Sequence, residues 1–174
     1  RAIGSPFLVG SLALAGDDIL AIAGGALAVG GVFSNAAGTT LSGGSLVLNG
    51  VSSMASLSQS GATVLGGAGV LTVNGAASLS GTHSGAGSTV LLGASSTSGL
   101  NLDDGRILRN QGSFTLNGAM NLNPANNGGA GRIDNAAGAV FDVRTFNLSI
   151  SAFGHPDLDT LPGFPVINNA GTFR

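Results

Sequence analysis

The segment SLVLNGVSSMASLS, residues 45–58, reads as a short apolar strand, an Asn-Gly pair and a polar strand. It returns as VLTVNGAASLSG from Val70 and as SFTLNGAMNLN from Ser113. Leu46, Leu48, Asn49 and Gly50 recur as Leu71, Val73, Asn74 and Gly75, a period of about 25 residues. Asn and Gly tolerate positive φ, so the chain can turn sharply at each pair without strain. Asn49-Gly50, Asn74-Gly75 and Asn117-Gly118 are therefore predicted corners. Leu46, Leu48, Leu71, Val73, Phe114 and Leu116 fall on the inward side of alternating strands. The three repeated asparagines, 49, 74 and 117, are expected to form one side-chain ladder.

A second element recurs as Asn35-Ala-Ala-Gly38, Asn110-Gln-Gly112, Asn135-Ala-Ala-Gly138 and Asn169-Ala-Gly171. An apolar residue follows each time: Leu41, Phe114, Val140 with Phe141, and Phe173. The step from Gly112 to Gly138 matches the same period, and Gly38 to Gly112 is close to three of them. Gly138 to Gly171 is longer, and its excess includes the stretch FGHPDLDTLPGFP. The step from Gly75 to Gly118 fits neither one period nor two. It is read as unequal windings with loops at GASSTSG and NPANNGG.

Repeats of this length indicate solenoids, propellers or arrays. The 31 glycines in 174 residues exclude helical windings, since Gly costs about 1 kcal/mol relative to Ala inside a helix. A propeller blade needs four strands and commonly aromatic anchors, and there is no Trp or Tyr. The expectation is one all-β domain over 1–174, a β-solenoid with coils of about 20–26 residues. A Pro-containing loop over 153–165 interrupts it, and the chain reads as an excerpt of a longer one because it begins with Arg.

Composition narrows the partners. The chain is 43% hydrophobic and 8% charged, with six Arg, eight Asp and a net charge of −2. No charged residue lies between Ile19 and Leu102. Nucleic acid requires a basic stripe, and an anionic membrane surface requires clustered Lys or Arg. The absence of Cys removes disulfides and Cys-ligated metals. PFLVGSLALAG (6–16) can mimic the apolar core of a signal segment, but the apolar run beyond Asp17-Asp18 favours a buried strand pair. That run, Ile19 to Phe33, is broken by glycines and falls short of the roughly 20 residues of a membrane span. Membrane insertion is not expected.

The stretches VFSNAAGTTLSGG (32–44), LTVNG…LSG (71–81), RIDNAAGAVFDV (132–143) and VINNAGTFR (166–174) resemble coils of large secreted bacterial β-helix proteins. These include filamentous-haemagglutinin-like exoproteins and autotransporter passenger domains. The resemblance implies a right-handed parallel β-helix, export to the cell surface, and a role in adhesion or extracellular scaffolding.

Chemistry-bearing clusters are few. Asp103-Asp104 and the GHP at 154–156 echo pectin-cleaving β-helix hydrolases, but the Gly-His-Gly element is unmatched and Lys is absent. Neighbouring side chains on a strand point to opposite faces, so LDDGR reads as a polar turn. His155, Asp157 and Asp159 alternate, and on an extended segment could bind a divalent cation. A loop pinned by Pro156, Pro162 and Pro165 is the favoured reading. Asp17-Asp18 lacks the spacing of calcium-binding nonapeptides. His83, among Ser, Thr and Gly, is expected at the surface. Asn147 begins an Asn-Leu-Ser sequon, taken as chance. Arg106, Arg109, Arg132 and Arg144 are expected to pair with Asp103, Asp104, Asp134 and Asp142 between coils.

No catalytic residue and no cofactor is expected. The leading expectation is a non-enzymatic extracellular adhesin or stalk that presents neutral Ser/Thr/Asn faces to a glycan or host-surface receptor. A filament subunit joined through solenoid ends or sides is the alternative, and a polysaccharide-degrading β-helix enzyme is a third. Ice binding is remote, because a regular Thr-x-Thr ladder is missing.

Overall fold

The computed structural model describes residues 6–125, 129–144, 150–152 and 165–174. These form an all-β β-solenoid of about six turns, with one continuous sheet and no helix. Every strand–strand ladder is parallel. Each winding presents three faces, and every face is a column of the same position in successive windings. Leu27, Leu46, Leu65, His83, Leu102 and Leu122 stack on the first face. Phe33, Ser52, Leu71, Thr89, Leu108 and Ile133 stack on the second. Leu57, Ala77, Ser95, Phe114, Phe141 and Phe173 stack on the third.

Stacking explains why so glycine-rich a chain folds. Parallel neighbours satisfy each strand's amides, and inward side chains close a thin core. Leu46, Leu48, Leu71, Val73, Phe114 and Leu116 are all at most 1% exposed, as their alternation predicts. The third face ends in a ring stack: Phe114 to Phe141 and Phe141 to Phe173, each with centroids 5.0 Å apart.

The winding length differs from the sequence period. From Phe33 to Leu108 on the second face, the partners are Ser52, Leu71 and Thr89 in turn. Contacts between adjacent windings here span 18 to 20 residues, as from Leu79 to Thr97, from Asn49 to Ala68 and from Met54 to Asn74. The next two windings are longer: Asn110 to Asn135 spans 25 residues and Asn135 to Asn169 spans 34 residues. The recurrence of Asn-Gly is thus one short winding plus one face. Leu46 stacks on Leu65, while Leu71 stacks on Ser52, on a different face. The step from Gly75 to Gly118 is two windings plus one face, so it needs no irregular loop. Likewise Asn35 and Asn110 share a column through Met54, Val73 and Leu91, four windings apart and not three.

Two further expectations change. Phe7–Val9 and Leu12–Leu14 are strands, but they are not a buried pair: Phe7 and Leu8 are each 70% exposed. They pair with Leu27–Val29 and Phe33–Asn35, respectively. Asn117-Gly118 lies inside the strand Ser113–Leu122, beside a register shift, where the sequence suggests a turn.

Candidate functional site

The asparagine ladder exists, but the other recurring element builds it. Asn110 Nδ2 donates to Asn135 Oδ1 at 2.8 Å, and Asn135 Nδ2 donates to Asn169 Oδ1 at 2.7 Å. Both donors also reach a carbonyl across the corner, Asn110 to Val140 and Asn135 to Thr172. Asn110 and Asn135 are fully buried. The ladder thereby clamps the corners of the three windings that hold the phenylalanine stack. Asn35 caps its own corner instead, donating to the Gly38 carbonyl and the Thr39 hydroxyl. Asn49 and Asn74 make separate contacts, accepting from the Ala68 amide and donating to the Met54 carbonyl. Asn49, Asn74 and Asn117 sit at three different positions around the winding and cannot stack. Asn135→Ala should cost about 3 kcal/mol, because a buried Asn110 amide loses its acceptor and Asn169 and Thr172 lose their donor. A urea unfolding midpoint measures this.

Gly75 and Gly138 remain at corners, Gly138 with φ +82°. Gly31, Gly50 and Gly69 form one corner column, in which each backbone lies against the next. Gly171 packs against the carbonyl oxygens of Ala136 and Ala139.

Of the four arginines, Arg109 pairs between windings as expected, Arg132 and Arg144 pair within their own windings instead, and Arg106 pairs with no aspartate among the described ion pairs. Asp134 accepts from Arg109 of the preceding winding at 3.4 Å and from Arg132 on its own strand at 3.0 Å. Asn168 adds a bond at 2.9 Å. Burial alone would raise the Asp134 carboxyl, but these donors outweigh it and hold the carboxyl below its ordinary range. Asp142 pairs with Arg144 at 2.7 Å and with Arg174 at 3.7 Å. Such partly exposed pairs contribute about 0–1 kcal/mol each. Arg106 does not pair with Asp103. It turns into the bore, where it is fully buried.

His83 is also misplaced by sequence reasoning: it is fully buried, in the leucine column of the first face. It belongs to a polar plug inside the core. Arg106 Nη2 donates to Thr89 Oγ1 at 2.9 Å, and Arg106 Nη1 donates to the Gly67 carbonyl at 3.1 Å. Thr89 Oγ1 lies 3.4 Å from His83 Nδ1, and His83 Nε2 lies 2.7 Å from Gln59 Oε1. Gln59 Nε2 donates to the Thr63 carbonyl at 3.4 Å. Burial, then the nearby Arg106 charge, pushes the His83 imidazole down to about 3. Burial lowers Arg106 to about 10. None of the ion pairs among the described residues includes Arg106. The Asp103 carboxylate accepts from the Ala125 amide at 3.2 Å, in a buried corner. Burial raises the Asp103 carboxyl. The GHP echo, the His155, Asp157 and Asp159 trio and the Asn147 sequon lie outside the described residues. Among the described residues, no three His, Cys, Asp or Glu come together as a metal site. Among them, too, no helix is long and apolar enough to cross a membrane.

The outer surface carries the remaining order. On the third face, Thr40, Ser58, Ser78, Ser96 and Thr115 stand in one outward column. A shallow groove of about 460 Å³ follows it, lined by Thr40, Ser58, Ser78 and Ser96 of the column together with Ile19 and Ala94. On the first face, Thr82, Asn101 and Asn121 form a second neutral column, with Asn121 donating to Asn101 at 2.9 Å. On the second, Ser34, Ser53 and Thr72 form a third. Neighbouring windings repeat at about 4.8 Å, so hydroxyls and amides recur at a fixed interval along the rod. No protein-family model, no curated protein and no solved structure matches the chain.

Proposed function

We propose that the chain is a structural, non-enzymatic segment of an extracellular adhesin or stalk. It holds neutral hydroxyl and amide columns for multivalent contact with glycans on another surface. The observation that carries this reading is the third-face column, with five hydroxyl side chains in register across five windings and no charge among them. One Ser or Thr hydroxyl binds a sugar weakly. A regular column lets a polymeric glycan engage many at once, and linked weak contacts gain avidity without any new contact type. The resemblance to secreted bacterial β-helix proteins supports the same reading.

The test displays the chain on beads and measures retention on immobilised neutral glycans and on cells. Wild type should be retained above an albumin control, and Ser58→Lys/Ser78→Lys should lose most of that retention. Wild type that matches the control on every surface would reject the adhesin reading.

A filament subunit is the second reading. Exposed strand edges template further strands. Sedimentation of the isolated chain separates the two readings: concentration-dependent growth favours the filament, and a monomer at high concentration leaves the adhesin.

A further inference from the structure

The hydrogen bonds of the plug inside the bore run in one direction. A guanidinium only donates, and a backbone carbonyl only accepts. Arg106 at one end and the Thr63 carbonyl at the other therefore set every bond between them. Thr89 accepts from Arg106, so its own hydrogen points to His83 Nδ1. Nδ1 is then the acceptor, and Nε2 carries the ring proton toward Gln59 Oε1. The Gln59 amide nitrogen faces Thr63. One tautomer of one neutral ring satisfies each bond from the Arg106 Nη2 to the Thr63 carbonyl, while Arg106 Nε is left buried without a partner.

We propose that this chain is an acid-operated latch that ties the middle windings together across the bore. It is shut when His83 is neutral and releases when a second proton is forced onto the ring. That proton would have to sit on Nδ1, and the Thr89 hydroxyl would have to turn its hydrogen away into the dry core. The proton would also place a second cation beside Arg106 in that core.

The groups around the ring support this assignment. Leu65 and Leu102 flank His83 in its column. Gln59, Thr89 and Arg106 reach it across the bore, and Arg106 is the charged member. The next winding brings Asp103, whose amide donates to the His83 carbonyl at 2.9 Å. The Asp103 carboxylate faces the Ala125 amide instead. Asp104 is exposed.

The direction of the pH effect follows from the lowered imidazole. The unfolded ring binds a proton near 6.5, and the folded ring only near 3. Between those values the unfolded chain holds more protons, so stability falls as the solution is acidified from 6.5 toward 3.

The experiment uses the whole chain. NMR of the His83 ring in wild type should show the neutral, Nε2-protonated form at pH 5, with about 1 ring in 100 charged. Hydrogen exchange at pH 4 should show amides at 65–66, 83–84 and 102 losing protection before those at 114–116 and 141. His83→Gln keeps every carboxylate but cannot titrate, so its urea midpoint should fall less between pH 6.5 and 4 than that of wild type. A ring that titrates near 6.5 in the folded chain, or exchange that begins away from the plug, would overturn the latch. So would equal pH dependence of the two proteins. If His83→Gln does not fold, the ring titration and the exchange order decide.

Discussion

Gly69→Ala should destabilise the chain by more than about 4 kcal/mol, the range reserved for substitutions that a structure cannot absorb. An added Cβ at Gly69 would overlap the Gly50 carbonyl oxygen and lie 2.8 Å from the Leu48 carbonyl oxygen. Both obstacles are backbone, so no side chain can swing aside. Relief requires prising apart two windings whose amides are bonded to one another. The Gly69 amide donates to the Leu48 carbonyl at 2.9 Å, and its own carbonyl accepts from Ser88 at 3.1 Å. In a stack where each winding is held by its neighbours, losing one interface uncouples the parts on either side. Circular dichroism across a urea series should show an early transition, with protease cutting near residues 48–70. Gly24→Ala is the control. Nothing lies within 4 Å of a Cβ there, and the change should fall within about 0.5 kcal/mol. Equal midpoints for the two variants would mean that the corner column is not tightly packed.

The second large effect lies in the ring stack. Phe141→Ala should cost about 4 kcal/mol, within the range for emptying a buried aromatic site. Phe141 is fully buried and stacks on Phe114 and Phe173 at once, so its loss breaks both ring contacts. The amide ladder runs beside it and holds the corners, so the site has little freedom to collapse around the hole. Phe141→Leu refills most of the volume and should recover more than half of the loss. Thermal unfolding followed in the near ultraviolet is the natural readout, because the chain has no Tyr or Trp and phenylalanine dominates the signal. A cost under about 1 kcal/mol for Phe141→Ala would show that the terminal windings contribute little to the cooperative unit.

These residues also show how far the sequence could be read. The inward leucines were legible because a strand has a period of two, and the turn residues mark its ends. What the outer columns contact, if anything, was not legible, since neutral hydroxyls carry no specific chemistry. The winding length was obscured because the same Asn-Gly unit serves three different positions around the winding. His83 was missed for a related reason. Its neighbours Gly81, Thr82, Ser84 and Gly85 resemble surface residues, and only the register reveals a leucine column around it. A search at the true winding length would have found Leu46, Leu65, His83 and Leu102 in one line. Arg106 was grouped with the other arginines as a partner for aspartates between coils, because nothing in the sequence marks it as inward-facing. The corner between Asp103 and Arg106 sends one carboxylate to a backbone amide and the guanidinium inward.

The chain keeps two rhythms, a longer one in its wording and a shorter one in its path, and together they act as a vernier. A span of three of the longer periods coincides with four laps, as Asn35 and Asn110 show by falling in a single column. Excising one phrase would rotate everything downstream by a third of a lap and bring mismatched faces together. Excising three would return each face to its own line, so the shortest clean deletion in units of the phrase is the whole beat.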